Sequence, residues 1–568
     1  MPTLNWIGKE KIVNHHQDVP YKVLEKKYTF NAEDSENMII HGDNLLALKS
    51  LLPKYEGMID CVYIDPPYNT GAKEGQWVYS DNVDDPRIKK WLNEVVGSEG
   101  EDLTRHDKWL CMMYPRLKLL HKLLTNNGII FISIDENELY NLKCICDEIF
   151  GLSNYVGLIT VEVNPKGRKN SDYLSVTNDY CLIYSKDKKN NYFLENIPKD
   201  KKDLSLDENG RLVHNSGKRV LVGENSFNHE VKDLSSDKHY TVYFNKSKND
   251  IIIKKEVNVD QCDESLINEG YERYYSYSGD HFVENTYTKD KIIELFENEA
   301  LDFKNSKIYE KNFSNSIRIK SVLVNKEYKT YGSDGNVLDY KLDVKTTSAN
   351  QDLKNIFSTN ETIFNNPKNK FFVQLLLSLI NKKDAVILDS FAGSGTTAHS
   401  VLSLNKEDNG NRKFVLIEMM DYADSITAER VKRVINGYGQ GKNYVDGIEG
   451  NFTFYELGDN LFNSDGNINE SVGEEEIRKY IYYTETKNEI SNARFDDNVS
   501  FLGKDNDTAY YFYYDKDYVT ELNRTFLSTI KTKATNYIIY ADTCALPKDL
   551  MMKLGITFKK IPRDITRF

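Results

Sequence analysis

Short apolar runs, each closed by an acidic or glycine residue, punctuate residues 37 to 135: MIIHG, CVYID and GIIFISID. Runs of this length, separated by helical periodicity, predict repeated β-α units in a mostly parallel sheet. Between the last two lies KWLCMMYPRLKLLHKLLTNNG, where Leu110, Met113, Leu117, Leu120 and Leu124 recur at helical spacing. Pro115 is expected to kink or restart that helix, and Gly128 to stop it.

From about residue 152 the texture becomes polar and Tyr-rich, with β-like runs LITVEV, YCLIYS, YTVYF and IRIKSVLV between Asn/Asp/Gly turns. This predicts a second, irregular domain ending near residue 350. The β-α texture then resumes: FFVQLLLSLI reads as a buried helix, DAVILD as a strand, FAGSGTT as a tight turn, TAHSVLSLN as a helix and KFVLIEM as a strand. A polar, acidic linker follows at residues 461–476, LFNSDGNINESVGEEE, and beyond it YYFYY and YIIYAD read as strands. The expected organisation is an arm over 1–35, half of an α/β domain over 36–190, an insert over 191–345, the other half over 346–460 and a C-terminal domain over 461–568. No repeat of fixed period interrupts this pattern.

Composition trims the possibilities. A chain of 568 residues, 40% of them hydrophobic, supports several domains with sizeable cores. The start, MPTLNWIGKEKIVNHHQD, has no apolar signal core, and no stretch reaches the roughly 18 apolar residues of a membrane span, so no membrane and a cytoplasmic location are expected. The seven cysteines are scattered, and Cys144 and Cys146 have the wrong spacing for a zinc ribbon, which predicts reduced thiols. His15 and His16 lack companion ligands, so no metal is expected. A net charge of −13 excludes a basic coat but leaves local basic patches to decide nucleic-acid binding.

Two turns carry candidate chemistry. In FAGSGTT, Gly393 and Gly395 let the backbone pass close to a ligand, and the helix start beyond them favours an anionic group. Structural glycines explain a lone GxG equally well. Glu418, closing the next strand, tips the balance, because an acid there commonly bonds the two hydroxyls of a ribose. No Lys follows GSGTT, which argues against a Walker-type phosphate loop. DPPYNTG, Asp65 to Gly71, directly follows the apolar run CVYI. Read alone it is a strand-terminating turn with an exposed Tyr; read beside FAGSGTT and Glu418 it is a catalytic turn. Asn69, Thr70 and Gly71 are taken as its flexible exit.

Together, DPPY and DAVILDSFAGSGTTAHS resemble the amino-methyltransferases of DNA that use S-adenosyl-L-methionine. The catalytic motif precedes the cofactor loop, which is similar to the β arrangement of those enzymes, with a target-recognition region inserted between the halves. LNWIGKEKIVNHHQDVP, IIHGDNLLALKSL, FISIDENE and FNNPKNKFFVQLLL extend the resemblance, as a set, to the modification (Mod) subunits of type III restriction-modification systems or a solitary relative. The resemblance implies an α/β fold: a Rossmann-like seven-stranded sheet in circularly permuted order, an inserted target-recognition domain and a small α+β C-terminal domain. It implies adenine N6-methylation of double-stranded DNA by base flipping and direct transfer, with Asp65, Pro66, Pro67 and Tyr68 catalytic. Asp65 and the Pro66 carbonyl would accept the amine hydrogens, and Tyr68 would stack on the extruded base.

By the same resemblance the cofactor residues are His41 and Asp43 at the adenine, Asp389, Phe391, Gly393, Gly395 and Thr396 along the methionine side, Glu418 at the ribose, and Asn366 and Lys368 at the carboxylate. A homodimer and a separate restriction subunit are implied as partners. N4-cytosine methylation and a non-catalytic DNA-recognition subunit that keeps the fold remain alternatives. Lys166, Arg168, Lys169, Lys304, Lys307 and Lys311, set among Asn, Ser and aromatic residues, are the candidates for DNA contact.

Overall fold

The computed structural model describes residues 3–69, 105–167, 173–194, 196–198, 204–214, 219–313, 316–331, 337–342, 345–441, 444–488, 490 and 498–563. The chain forms two compact units, one from Met1–Glu195 and Lys320–Phe568, the other from Asn196–Ile319.

The first unit is built on a ten-stranded sheet. Its strands are β1 (Lys22–Phe30), β2 (Met38–His41), β3 (Ile59–Ile64), β4 (Leu124–Ile134), β5 (Tyr155–Glu162), β6 (Asn178–Ser185), β7 (Val322–Leu323), β8 (Val386–Asp389), β9 (Lys413–Glu418) and β10 (Phe452–Asn460). They lie in the order β1-β10-β2-β9-β8-β3-β4-β6-β5-β7. From β10 to β4 neighbouring strands are parallel, and β6 runs antiparallel to both β4 and β5. The sheet is thus wider than the seven strands expected, because β1 with β10 extends one edge and β7 the other. All six residues of β3 are buried, as the apolar run CVYI requires of a strand covered on both faces.

Helices α1 (Asn44–Tyr55), α2 (Arg105–Leu123) and α3 (Leu139–Phe150) pack on the sheet through one continuous core that includes Leu48, Leu117, Leu120 and Leu142. Each such buried leucine is worth roughly 1.5–3 kcal/mol relative to exposure. Two expectations need revision here. Helix α2 runs on through Pro115, and it ends at Leu123, one residue before the last of the periodic leucines. Leu124 already pairs with Ile59, and Thr125 to Gly128 bulge out before pairing resumes at Cys61 and Ile129. Gly128 closes the bulge where a Cβ would lie 2.8 Å from the Leu124 side chain and 3.1 Å from the Ile59 carbonyl, so the TNNG stop signal has become a bulge within a strand.

LITVEV and YCLIYS, which share the polar surroundings of the insert, are β5 and β6 of the main sheet. IRIKSVLV is divided: Ser316–Arg318 pairs with Asn196–Pro198, while β7 pairs in parallel with β5. Helices α4 (Lys370–Ser378) and α5 (Thr396–Asp408) flank β8 in sequence. Farther on, Phe501–Asp505, Thr508–Phe512, Asn536–Ala541 and Ile556–Lys560 form a separate four-stranded sheet, parallel except at its first pair.

The second unit holds two three-stranded antiparallel sheets over a core of residues such as Leu221, Val242, Ile292 and Ile308. Lys304 and Lys307 face each other across a tight turn whose residues Asn305 and Ser306 both have positive φ, 52° and 56°. Among the described residues no helix is long and apolar enough to cross a membrane.

Candidate active site

The parallel strands share one edge, and each hands over to an acid there: Asp43 after β2, Glu418 ending β9, Asp389 ending β8, Asp65 after β3 and Asp135 after β4. Ligands of open α/β sheets bind at this carboxyl edge. β8 and β3 are neighbours, pairing Ile387 with Cys61 and Leu388 with Val62. The two turns that stand far apart in the chain therefore start side by side.

They open on one cavity of about 1320 Å³. Asp65, Pro66 and Tyr68 line it from one side, Asp389, Phe391, Gly393 and Thr396 from the other, and Asn366, Lys368 and Lys166 complete the predicted residues on its wall. Pro67, Gly395, His41, Asp43 and Glu418 do not line it. Pro67 lends its carbonyl to the Trp109 indole N–H at 2.7 Å, which anchors the turn to α2. Gly395 has φ 78°, and a Cβ there would lie 2.9 Å from the Thr427 carbonyl oxygen. The cavity exceeds the roughly 300–1,000 Å³ usual for a single small ligand.

At the end of β3, Asp65 is met by side-chain donors. Among the described residues its buried Oδ1 carries no aligned hydrogen bond, and Nζ of Lys368 faces it at 3.2 Å. Burial pushes the Asp65 carboxyl above its ordinary range, the Lys368 ammonium and Tyr68 hydroxyl pull it back, and Asp179 adds to the rise. Lys368 also donates to the Tyr68 hydroxyl at 2.5 Å and stands 4.5 Å from the centre of that ring.

The ends of β8 and β9 are closed by contrast. Asp389 accepts from the Phe391 amide at 3.0 Å and the Thr397 hydroxyl at 2.5 Å. Glu418 accepts from the Gly393 amide at 2.7 Å and the Met420 amide at 2.9 Å, so it shapes the glycine loop from behind. Burial raises both carboxyls to about 7, against the pull of those donors. Behind the same loop, buried Arg430 donates to Thr396 Oγ1 at 2.8 Å and Ser394 Oγ at 3.0 Å. At β2, Asp43 caps α1 through the amides of Leu45 and Leu46, 2.8 and 3.2 Å away, and faces Arg116 at 3.7 Å. His41 stands 3.7 Å from Glu456.

Three features escaped the sequence reading. Asn69 is not a flexible exit: at φ 58° it is buried, and its amide donates to Glu138 at 2.5 Å and to the Arg105 carbonyl at 3.1 Å. Fully buried Glu138 also meets His106 at 2.7 Å, so FISIDENE holds the DPPY turn in place. Asp179, on the wall at the start of β6, joins Asp65 around Lys368. Only its position opening YCLIYS could have marked it. Lys368 itself sits at the DPPY turn; the resemblance implied a place for it at the cofactor's carboxylate. Arg168, Lys169, Thr70 and Gly71 lie outside the described residues. Lys304 is exposed, and Lys311 lies 3.8 Å from Asp207. Among the described residues no group of three or more His, Cys, Asp or Glu side chains is arranged to hold a metal.

A Rossmann-like sheet whose carboxyl edge joins a glycine loop to an acidic DPPY turn defines a class of transferases acting on amines beside a nucleoside-bearing cofactor. A profile of that class, N6_N4_Mtase, described as DNA methylase, matches residues 59–429, and the chain belongs to this family. The family depends on S-adenosyl-L-methionine. The chain is similar to the type III restriction-modification enzyme EcoPI Mod subunit of Escherichia phage P1, 31% identical over 436 residues, 73% of this chain and 63% of that one. It is likewise 30% identical over 404 residues to the type II methyltransferase M.KpnI of Klebsiella pneumoniae, covering 70% of this chain and 85% of that enzyme. The chain thus spans less than two thirds of the Mod subunit. Among solved structures, M1.HpyAVI aligns at a TM-score of 0.28 and 12% identity over 69% of this chain and 98% of its own, a likeness on which no argument rests.

Proposed function

We propose that the protein is a sequence-specific DNA adenine N6-methyltransferase that extrudes its target base from the duplex and methylates it directly. What supports this most is the sharing of one cavity by Asp65–Tyr68 and the Asp389–Thr396 loop, in a volume suited to two ligands at once.

The residues fit the cofactor. Phe391 and Gly393 offer an apolar wall with an open backbone, and the start of α5 at Thr396, with Asn366, suits a carboxylate. Glu418, behind the glycine loop, would serve the ribose by exchanging one of its present donors for a ribose hydroxyl. Asp43 and His41, on the neighbouring strand, would serve the base end. When bound, S-adenosyl-L-methionine supplies an electrophilic methyl group.

The exocyclic amine of adenine is a poor nucleophile because its lone pair is delocalised into the ring. Asp65 and the Pro66 carbonyl would accept its two hydrogens and turn the lone pair out of the ring plane, while the Pro66–Pro67 pair keeps that carbonyl aimed. As the nitrogen gains the methyl group it sheds one proton, for which Asp65 is the adjacent acceptor. The Tyr68 ring would stack on the extruded base, an interaction worth roughly 1–3 kcal/mol. Lys166 on the wall, with Lys304, Lys307 and Lys311 in the second unit, would meet phosphates. A homodimer and a separate restriction subunit are the proposed assembly, by analogy with relatives named Mod subunits.

The deciding experiment incubates the purified chain with methyl-labelled S-adenosyl-L-methionine and genomic DNA, then sequences the product for modified bases. Label in N6-methyladenine at a defined sequence is expected; label in N4-methylcytosine, or DNA binding with no transfer, overturns the assignment.

A further inference from the structure

Lys368 reaches the catalytic turn from the segment preceding α4, and its ammonium has three neighbours there: Asp65 at 3.2 Å, Asp179 at 3.8 Å and the Tyr68 hydroxyl at 2.5 Å. Both carboxylates are mostly shielded, their side chains 23% and 10% exposed. An ammonium has three donors on a flexible stem, so with one on the Tyr68 hydroxyl it can turn from one carboxylate to the other and keep a charged partner. It also stands where a donor to Asp65 Oδ1 must stand, the position an incoming amine needs.

We propose that Lys368 is a two-station positioning residue of the transfer centre, which keeps Asp65 ionised in the base-free protein and shifts toward Asp179 when the target amine takes its place. The inference rests on the proposed role of Asp65, and it removes Lys368 from the cofactor's carboxylate. Asp65 is faced by Tyr63 on its own strand, Tyr68 in its turn, Asp179 and Cys181 on β6, Asp389 on β8 and Lys368. Lys368 is the one cation in that set, so its removal leaves a buried carboxylate among acids and phenols. The purpose of the second station is then mechanical: without Asp179 the lysine would keep Asp65 as its carboxylate partner and would compete with the base.

The test needs no turnover. The carboxylic C=O stretch of Asp65 is isolated as the infrared band that Asp65→Asn removes, and its titration is followed in the full-length protein. Lys368→Met, checked against Lys368→Arg, is expected to move that titration up by about one pH unit or more. Asp179→Asn removes a charge that itself raises Asp65, so it is made in both backgrounds: its downward shift is expected to be larger with Lys368 present, where the lysine also commits to Asp65, than in Lys368→Met. S-adenosyl-L-homocysteine affinity, measured by calorimetry, should stay within about twofold in Lys368→Met, well short of the tenfold that marks one lost strong contact. An unmoved band with a tenfold weaker ligand overturns the proposal and returns Lys368 to the cofactor. If Lys368→Met does not fold, Lys368→Gln takes its place in that comparison, and equal shifts from Asp179→Asn with and without the lysine overturn the inference. Shifted bands in a protein that transfers no methyl group to DNA would instead refute the proposed function and leave the lysine's role standing.

Discussion

The ends of β3 and of β8 with β9 carry the same residue type in the same sheet, and they treat it in opposite ways. Asp389 and Glu418 have their oxygens engaged by backbone amides and a hydroxyl, which makes them part of the loop's framework. Asp65 faces a lysine that its stem allows to move, and its Oδ1 lacks an aligned donor among the described residues. A carboxylate held by a side-chain ammonium can exchange that partner for a ligand's donor, whereas one held by backbone amides cannot without moving the loop. The contrast teaches that a buried acid at a strand end is read by its partners: acids tied to backbone amides shape a loop, and an acid tied to a movable side chain stays available to a ligand.

Asp65→Ala tests the contrast most severely. Methyl transfer should fall by at least about 10²–10³-fold, the loss typical of removing one group that serves the transition state, while cofactor binding persists. A rate within a few-fold of the parent would break the comparison. Asn69→Ala attacks the frame of the open end: freeing the turn from Glu138 should lower kcat by up to about 10²-fold with cofactor affinity unchanged, as small misplacements do. Glu418→Ala attacks the closed end and strands the Gly393 and Met420 amides, so stability and cofactor affinity should drop by about 1–3 kcal/mol, read by thermal melts and calorimetry.

Protonation sharpens the same difference. The Glu418 carboxyl is raised from 4.5 to about 7 in the folded protein. Its contribution to stability is therefore greatest below 4.5 and is lost as pH rises through about 7. Glu418→Gln cannot ionise and should gain melting temperature relative to the parent over that interval. In the role proposed for it Asp65 acts as a carboxylate, so activity should fail toward acid at a pH above the ordinary carboxylate range, the lysine limiting how far above. Lys311→Gln, in the second unit, should do least, lowering the salt slope of DNA binding by at most about one.

What the sequence disclosed was local. DPPY and FAGSGTT could be read because each is a short turn closing an apolar run, and the strand, turn and helix types around them follow from periodicity over a few residues. Features set by long-range pairing could not. Nothing in MIIHG indicates that its neighbours will be KFVLIEM and Phe452–Asn460. LITVEV and YCLIYS look like the insert because antiparallel strands near a sheet's edge keep polar residues. Lys368 was legible as a cation but not as a neighbour of Asp65, since a four-carbon stem can serve either end of a cavity. Asn69 was overlooked because its partner Glu138 comes from a different β-α unit.

The sheet order has a further consequence, for synthesis. β2 finds both its neighbours, β9 and β10, and β3 one of its two, β8, in residues 386–460. As the chain emerges from the ribosome, two of its most apolar strands must wait for partners made much later, with the whole second unit translated in between. Bare strand edges of that kind invite aggregation or chaperone binding. The wall that Asp389 to Thr397 give the cavity is likewise made only after the second unit, so a chain truncated before β8 lacks that side of the cavity altogether.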